Sequence, residues 1–460
     1  MGSHYDAIII GSGIGGAAAG ALLSHAGWKV LLLEKNRVVG GRCTSYEKDG
    51  FTVDLGVHLF GVGDNGALGD VCRTIGMPDA INWVSIRTAT MMLEDRVMRY
   101  SRKNMSAMLP DEESGNLEKL FAEVFLISDE DLEKLWYVPL SEWVDRFTTH
   151  PLAHSFIERI NAQYFCVRSF QGSTTEFINC FREVLQARSS AYPVGGCISI
   201  PKVYVSAVEK FGGRLMLKAC VVRILVEDRK AVGVQLEDGS EFRAPVIISN
   251  ADIKQTVLDL AGEEHFPRDY VEKIAGLTYA YHALGLKVAL EEKVTDDQLM
   301  MYMPYDYESS IRIEMEKMQG KLPERVAGMI TSPTNYDPSL APEGKQLIFF
   351  GTGCPPKQDW KEWEEVILRS FYAVYPQATG KILWHRLDTP DLVNAYAGEE
   401  GNIIGVAQTV DQIHERRPSV VSPLTGLYFS SAEAGGHGIG AELAADSARE
   451  LFQVLHDARG

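Results

Sequence analysis

The sequence predicts an α/β protein in which a parallel-sheet domain is interleaved with a mixed-sheet plus helical domain. Three observations carry that reading. Near its start the chain runs from an apolar stretch through clustered glycines into a small-residue helical stretch and then a second apolar run. Two remote blocks, Tyr192–Asp252 and Arg417–Glu450, each return to short strands beside glycine-rich turns. The spans between these blocks read as helices with aromatic faces and as further strands.

The first block fixes the class. Tyr5 to Ile10 carries three isoleucines and suits a strand buried on both faces of a parallel sheet. Gly11-Ser12-Gly13 breaks it, Ile14 to Ala26 is a helix, and Trp28 to Leu33 is the second strand, ending at the acidic Glu34. Strand, turn, helix and strand within about 30 residues make a βαβ unit. Gly11-x-Gly13-x-x-Gly16 has dinucleotide-fingerprint spacing: the first glycine permits a tight turn, the second lets a pyrophosphate approach, and the third lets the helix pack closely. The helix N-terminus offers free N–H groups and about half a positive charge to phosphates. Glu34, 21 residues after Gly13, stands where a carboxylate accepts both ribose hydroxyls and disfavours a 2′-phosphate. Gly11, Ser12, Gly13, Ile14, Gly15, Gly16, Glu34 and Lys35 are therefore expected at a dinucleotide, in a Rossmann-like domain.

The middle block reads as a helix over about Pro201–Phe211, a Gly212-Gly213 stop, strands joined by an Asp238-Gly239 hairpin, and a buried strand Val246–Ile248. In the last block a strand, Leu427–Ser430, leads through Glu433 and a glycine-rich loop into a terminal helix. Gly438-Ile439-Gly440 aims that helix's N-terminus inward.

Gly40-Gly41-Arg42, then Gly50-Phe51-Thr52-Val53-Asp54-Leu55-Gly56, resemble the flavin-dependent amine oxidase and phytoene desaturase superfamily, and most closely its phytoene dehydrogenase-like branch of carotenoid desaturases and saturases. Both remote blocks match it as well, except that a proline usual between the later isoleucine and glycine is absent here. The resemblance implies a resident FAD along three pieces of chain. It places Gly41, Arg42, Val57 and His58 near the flavin, Val222 at the adenine and Asn250 near the pyrophosphate. It adds Glu433, Gly438, Ile439 and Gly440 at the other end of the cofactor. It also implies a discontinuous FAD-binding domain (residues 1–66, 190–261 and 402–460) and a substrate-binding, partly helical domain (67–189 and 262–401).

Composition narrows the partners. With 45 basic against 62 acidic residues, the formal charge of −17 argues against nucleic acid. Seven cysteines, an odd number without a C-x-x-C pair, read as reduced core thiols in a cytoplasmic protein, and no metal site is expected. No apolar run reaches the ~18 residues that span a bilayer. Met1-Gly2-Ser3-His4 is expected to be a leftover tag and not a targeting signal. Arg96, Arg99, Arg102 and Lys103 offer a peripheral contact to an anionic membrane surface, although a solvated face is the better reading.

In the substrate half, Asp129–Phe165 reads as helices broken at Pro139 and Pro151, and Tyr279–Leu290, Val326–Ile330 and Gln346–Gly351 read as strands. Leu299–Tyr307, "LMMYMPYDY", is expected to be either a pliable cavity mouth or a loop packed on the core. A flavin carries the hard step itself, so the protein must hold a C–H bond over N5 and exclude water. His58, His437 and Tyr396 are the candidates for a catalytic polar role, each weighed against a structural one. The favoured activity is hydride chemistry on carbon–carbon bonds of an apolar, isoprenoid-like or alicyclic substrate: desaturation, saturation or isomerisation. The alternatives are a flavin amine oxidase and a non-catalytic prenyl- or lipid-binding protein of the same fold. The electron acceptor or donor and the oligomeric state are not encoded in these residues.

Overall fold

The computed structural model describes residues 4–56, 59–356 and 358–458. Five parallel strands form the first sheet, in the order Leu427–Phe429, Val246–Ser249, Ala7–Ile10, Val30–Glu34 and Arg214–Leu217. Each strand is short and its centre apolar, because helices or strands cover both faces. Ile9, for example, sits between Ile248 and Leu32.

Helix Ile14–His25 lies on one face, against helices Ser199–Lys210 and Ala441–Asp457. Its buried run of Ala17, Ala18, Ala19, Gly20 and Ala21 allows that close approach. The other face is covered by an antiparallel sheet of Val221–Glu227, Lys230–Leu236 and Glu241–Arg243, turned at Asp238-Gly239 as the sequence predicts.

A seven-stranded sheet forms the second body, in the order Ile382–Asp388, His282–Leu290, Gln346–Cys354, Gly328–Thr331, Leu299–Met303, Ala89–Leu93 and Arg96–Arg99. Leu299–Met303 corrects the expectation of a loop there: it is a buried strand, paired parallel with Ala89–Leu93. Its residues alternate between two cores. Leu299, Met301 and Met303 face helices Asp111–Leu126, Pro151–Phe165 and Thr174–Ala187, whereas Met300 and Tyr302 face helix Trp360–Val374. An apolar run buried on both sides shows no alternation in sequence, which is why it did not read as a strand. The helical roof does break at Pro139 and Pro151, into Asp129–Glu133, Leu140–Val144 and Pro151–Phe165. All seven cysteines are free. No helix among the described residues is long and apolar enough to cross a membrane.

Candidate functional site

One cavity of about 1930 Å³ runs from the glycine turn at the edge of the parallel sheet to the roof helices of the second body. Single-ligand pockets reach roughly 1,000 Å³, so this volume suits a large cofactor and a second molecule together.

The turn builds one end. The Gly11 N–H donates to the Leu33 carbonyl at 2.7 Å, tying the turn to the second strand. Gly13 begins the helix with no side-chain cap and no acid in the first turn, so the positive helix end stays open toward the cavity. Gly11, Gly13, Ile14 and Gly15 line that wall. Gly16 does not: a Cβ there would stand 2.1 Å from the Gly11 carbonyl oxygen, so this glycine is needed for packing the helix. Ser12 is buried behind the wall. Its N–H and hydroxyl both donate to Glu34 Oε2, at 2.9 and 2.6 Å.

Glu34 lines the cavity, and its Oε1 accepts from the Asn36 N–H at 2.9 Å. Three donors occupy three of about four acceptor positions on the carboxylate, which fixes its orientation and leaves room for a ribose hydroxyl. Lys35, Gly40, Gly41 and Arg42 continue the wall. The Gly40 N–H donates to the Ser12 carbonyl at 3.0 Å, holding this run beside the turn, and Gly41 adopts φ +57°, a conformation natural to glycine. Asn250 follows strand Val246–Ser249, its N–H on the Ile10 carbonyl at 2.8 Å and its side-chain amide lying across the face of Gly13.

Three more expected contacts fall off the cavity wall. Val222 is 45% exposed and outside the cavity; the wall there is Ala219, Cys220 and Val221. A register irregularity between Val221 and Arg223 decides which of the alternating residues points inward. Glu433, fully buried, is not on the wall, and its Oε2 accepts from the Ile253 N–H at 2.6 Å. Gly438 is likewise held from behind, its N–H donating to Glu176 Oε1 at 3.2 Å and its carbonyl accepting from Gln408 at 3.1 Å. Only Ile439 and Gly440 of that loop reach the cavity, followed by Ala441, Glu442 and Ala444 of the uncapped terminal helix.

His437 turns out to be an ion-paired histidine and not a cavity group. Nδ1 lies 2.9 Å from Glu176 Oε2 and Nε2 3.3 Å from Glu183 Oε1. Burial opposes its charge, but the two carboxylates push the imidazole up to about 11. Burial also works against the Glu176 carboxylate, yet His437, the Gly438 N–H and Arg417 hold it below the usual range. The pair clamps the C-terminal glycine loop to helix Thr174–Ala187. Tyr396 does line the cavity, but its carbonyl accepts from Asn36 Nδ2 at 3.0 Å, because helix Pro390–Ala397 leans on the end of the second strand. It sits beside the Glu34 end. His58 and Val57 lie outside the described residues.

Two buried ionisable groups beside the cavity were missed. Lys287 is 0% exposed within the apolar strand His282–Leu290. Its Nζ donates to the Gly56 carbonyl at 2.6 Å, stands 3.9 Å over the Phe349 ring and lies 3.7 Å from Asp388 Oδ2. Burial lowers the lysine and raises Asp388 to about 6, each offset in part by the other. The signal was a lone charge at an inward position of "LGLKVAL". Glu442, in the first turn of the terminal helix, accepts from the Gly63 and Leu68 N–H groups at 2.9 and 3.2 Å, and burial pushes it up to about 8.

The family model for flavin containing amine oxidoreductases matches residues 14–450. The chain belongs to that family. It is 29% identical over 92% of its length to prolycopene isomerase 1 of an Oncidium hybrid cultivar, covering 79% of that protein. It is 25% identical over 90% of its length to a zeta-carotene-forming phytoene desaturase of Myxococcus xanthus, covering 86% of that protein. Among solved structures, an oxidoreductase from Methanosarcina mazei has the same fold, with a TM-score of 0.77, 19% identity and coverage of 97% of this chain and 99% of that one.

This flavin oxidoreductase uses FAD, and the cavity fits it. Gly11, Gly13 and Gly15 leave bare backbone on the wall where a diphosphate approaches, with the Asn250 side-chain amide beside Gly13. The oriented Glu34 suits the ribose, and the open terminal helix suits an electron-rich ring edge. Gly11, Gly13, Ile14, Gly15, Glu34, Lys35, Gly41, Arg42, Val221, Asn250, Ile439 and Gly440 line this part of the cavity and are the residues that would hold it.

Proposed function

We propose that this FAD-dependent oxidoreductase acts on carbon–carbon bonds of an apolar, isoprenoid-like or alicyclic small molecule, by desaturation, saturation or isomerisation. The observation that carries the reading is the continuity of the cavity. From the FAD cradle it passes without a wall into a chamber lined by Met105, Phe121, Phe181, Leu299, Met301 and Ile404. A long apolar body contributes roughly 0.8 kcal/mol per buried CH₂, so such a chamber binds by area and shape. When bound, FAD supplies a two-electron acceptor or donor at N5, and the chain's own task is to orient the substrate and exclude water.

Acid–base pairs on the chamber wall are engaged with one another. Arg168 Nε lies 2.7 Å from Glu158 Oε1 and Lys317 Nζ 2.5 Å from Glu314 Oε1. The relatives' names, prolycopene isomerase and phytoene desaturase, support a polyene-type substrate. The amine oxidase alternative finds less support from these two relatives' names.

The test is an anaerobic spectral titration of the FAD-loaded protein with polyenes, cyclic enones and primary amines, oxidised and dithionite-reduced, with product analysis of each mixture. Conversion or isomerisation of a polyene or enone is expected. Bleaching by amines, with polyenes and enones returned unchanged, overturns the proposal.

A further inference from the structure

The chamber has an apolar path to the surface. Phe121 and Phe125 lie one turn apart on helix Asp111–Leu126, and Phe181 and Leu185 lie one turn apart on helix Thr174–Ala187. All four line the cavity. Residues at this spacing share a helix face, so each pair forms a short ladder along the wall. The ladders start together inside, where the Phe121 and Phe181 rings stack with centroids 5.7 Å apart. They end outside: exposure climbs from 2% at Phe121 to 45% at Phe125, and from 8% at Phe181 to 41% at Leu185. Leu126, next to Phe125 in the chain, is 76% exposed and extends the patch.

Arg182 fastens the two helices at this end. Its Nη2 donates to the Ile127 carbonyl at 3.1 Å and its Nε to the Val124 carbonyl, so the turns that carry Phe125 and Leu185 stay side by side. One exposed leucine on a helix means little. Here each exposed apolar residue continues a buried one on the cavity wall, which is the mark of a surface that meets a ligand. Charge is spread unevenly around the cavity. Among the described residues neither of these helices puts a carboxylate on the wall, whereas helix Pro151–Phe165 contributes Glu158 and helix Tyr307–Met318 contributes Glu314. The charges at the apolar end are Arg188 and Arg102, both exposed, with Arg102 Cζ 5.5 Å from the centre of the Phe121 ring. Long basic side chains keep their heads in water while their stems cover apolar surface. A hydrocarbon passing Glu158 or Glu314 must strip water from a charged group. Past Phe125 and Leu185 it exchanges water for hydrocarbon.

We propose that an apolar ligand enters and leaves the chamber between Phe125 and Leu185, the outer rungs of the two ladders. This rests on the assignment of the chamber to an apolar substrate and adds the route by which that substrate arrives. The two side chains set the barrier to passage and not the energy of the seated ligand. A change at either one therefore alters loading and release by the same factor.

The experiment loads the FAD-bound full chain with diphenylhexatriene, a rod-shaped apolar polyene delivered from cyclodextrin, and follows the visible flavin band by stopped flow. Phe125→Asp and Leu185→Asp, both at exposed positions, are expected to slow loading and release alike by at least about tenfold, with equilibrium affinity within about twofold of the parent. The double variant Phe125→Ala/Leu185→Ala, which widens the gap, should speed both. Phe170→Asp is the comparison, because Phe170 is another ring on the wall, 60% exposed and directly after Arg168 and Ser169 in the chain; its rates should match the parent's. Parent rates in both aspartate variants at positions 125 and 185 overturn the route and leave the function standing. So does a loss of affinity with loading unchanged, which would make these residues part of the seat. If diphenylhexatriene changes neither the flavin band nor its own emission in the parent, the chamber takes up no apolar molecule, and the function proposed above fails together with the route.

Discussion

Gly13 and Gly16 belong to one motif, yet the structure assigns them different work, and alanine at each separates the two. Gly13 has φ −62° and ψ 177°, which alanine adopts without strain. The atoms its Cβ would meet all belong to the Asn250 side chain: Nδ2 at 2.7 Å, Cγ at 3.7 Å and Oδ1 at 3.7 Å. That amide can rotate away. Alanine is the poorer residue at a helix N-cap by about 0.5–1 kcal/mol, but it also stabilises by restricting the unfolded chain by a similar ~0.4–1 kcal/mol. Gly13→Ala should therefore fold with nearly the parent's stability. Its methyl group displaces the Asn250 amide on the cavity wall, and the expected loss of two charge-assisted hydrogen bonds to the diphosphate, roughly 1.5–3 kcal/mol each, would weaken FAD binding by about 100-fold or more. Gly16→Ala meets the Gly11 carbonyl oxygen at 2.1 Å, a backbone atom that cannot rotate away. The helix must lift from the strand, which costs about 1–3 kcal/mol in overpacking alone. Urea denaturation of the apoprotein and FAD titration by flavin fluorescence measure both quantities. The reasoning is refuted if Gly13→Ala binds FAD within threefold of the parent, or if Gly16→Ala is as stable as the parent.

Two further outcomes follow from the buried ion pairs. His437→Gln should cost about 3 kcal/mol by leaving Glu176 buried without its cation. The folded protein favours the charged histidine, a contribution present in full below its ordinary 6.5 and lost as pH rises toward about 11. It also favours the Glu176 carboxylate, a contribution present above the ordinary 4.5 and lost on acidification. The stability gap between parent and variant in chemical denaturation should thus be widest near pH 4.5–6.5 and close toward pH 11; a gap that widens with pH contradicts the pairing. Asp388→Leu should destabilise by about 3–5 kcal/mol, because it strands the buried Lys287 ammonium, and Lys287→Met by less, because Arg386 Nε stays 3.2 Å from Asp388 Oδ1, whereas the double variant should recover most of the loss. Additive losses would show that the two side chains do not act together.

The cofactor end was legible in sequence because its geometry is local. Glycine turn, helix start and strand-end acid lie within residues 11–34, so spacing alone sets their relation, and the structure keeps Gly11, Gly13 and Glu34 on one wall. The failures lie where a long-range contact or a local irregularity decides. His437 looks like a loop residue free to face a ligand until Glu176, 261 positions away, claims it. The carboxylate of Glu433 is engaged by the Ile253 N–H, 180 positions distant, and that of Glu442 by Gly63, 379 positions distant. Val222, expected at the adenine through its backbone, turns its side chain outward while Val221 lines the wall, beside a one-residue irregularity in the strand, where a slip of one exchanges inside for outside.

The same contrast explains how one fold keeps its cofactor while its substrates vary. Backbone groups of three chain segments form most of the FAD cradle, and a side-chain substitution elsewhere leaves them in place. The chamber beyond is walled by side chains projecting from roof helices and from strands of the second sheet, which share no strand with the parallel sheet. Exchanging Ser155, Arg159 or Gln163 on one turn-spaced helical face changes the charge offered to a ligand without altering the register of any strand. On the proposed function, the FAD segments supply the chemistry available at N5, while the side chains that line the chamber select the molecule presented to it.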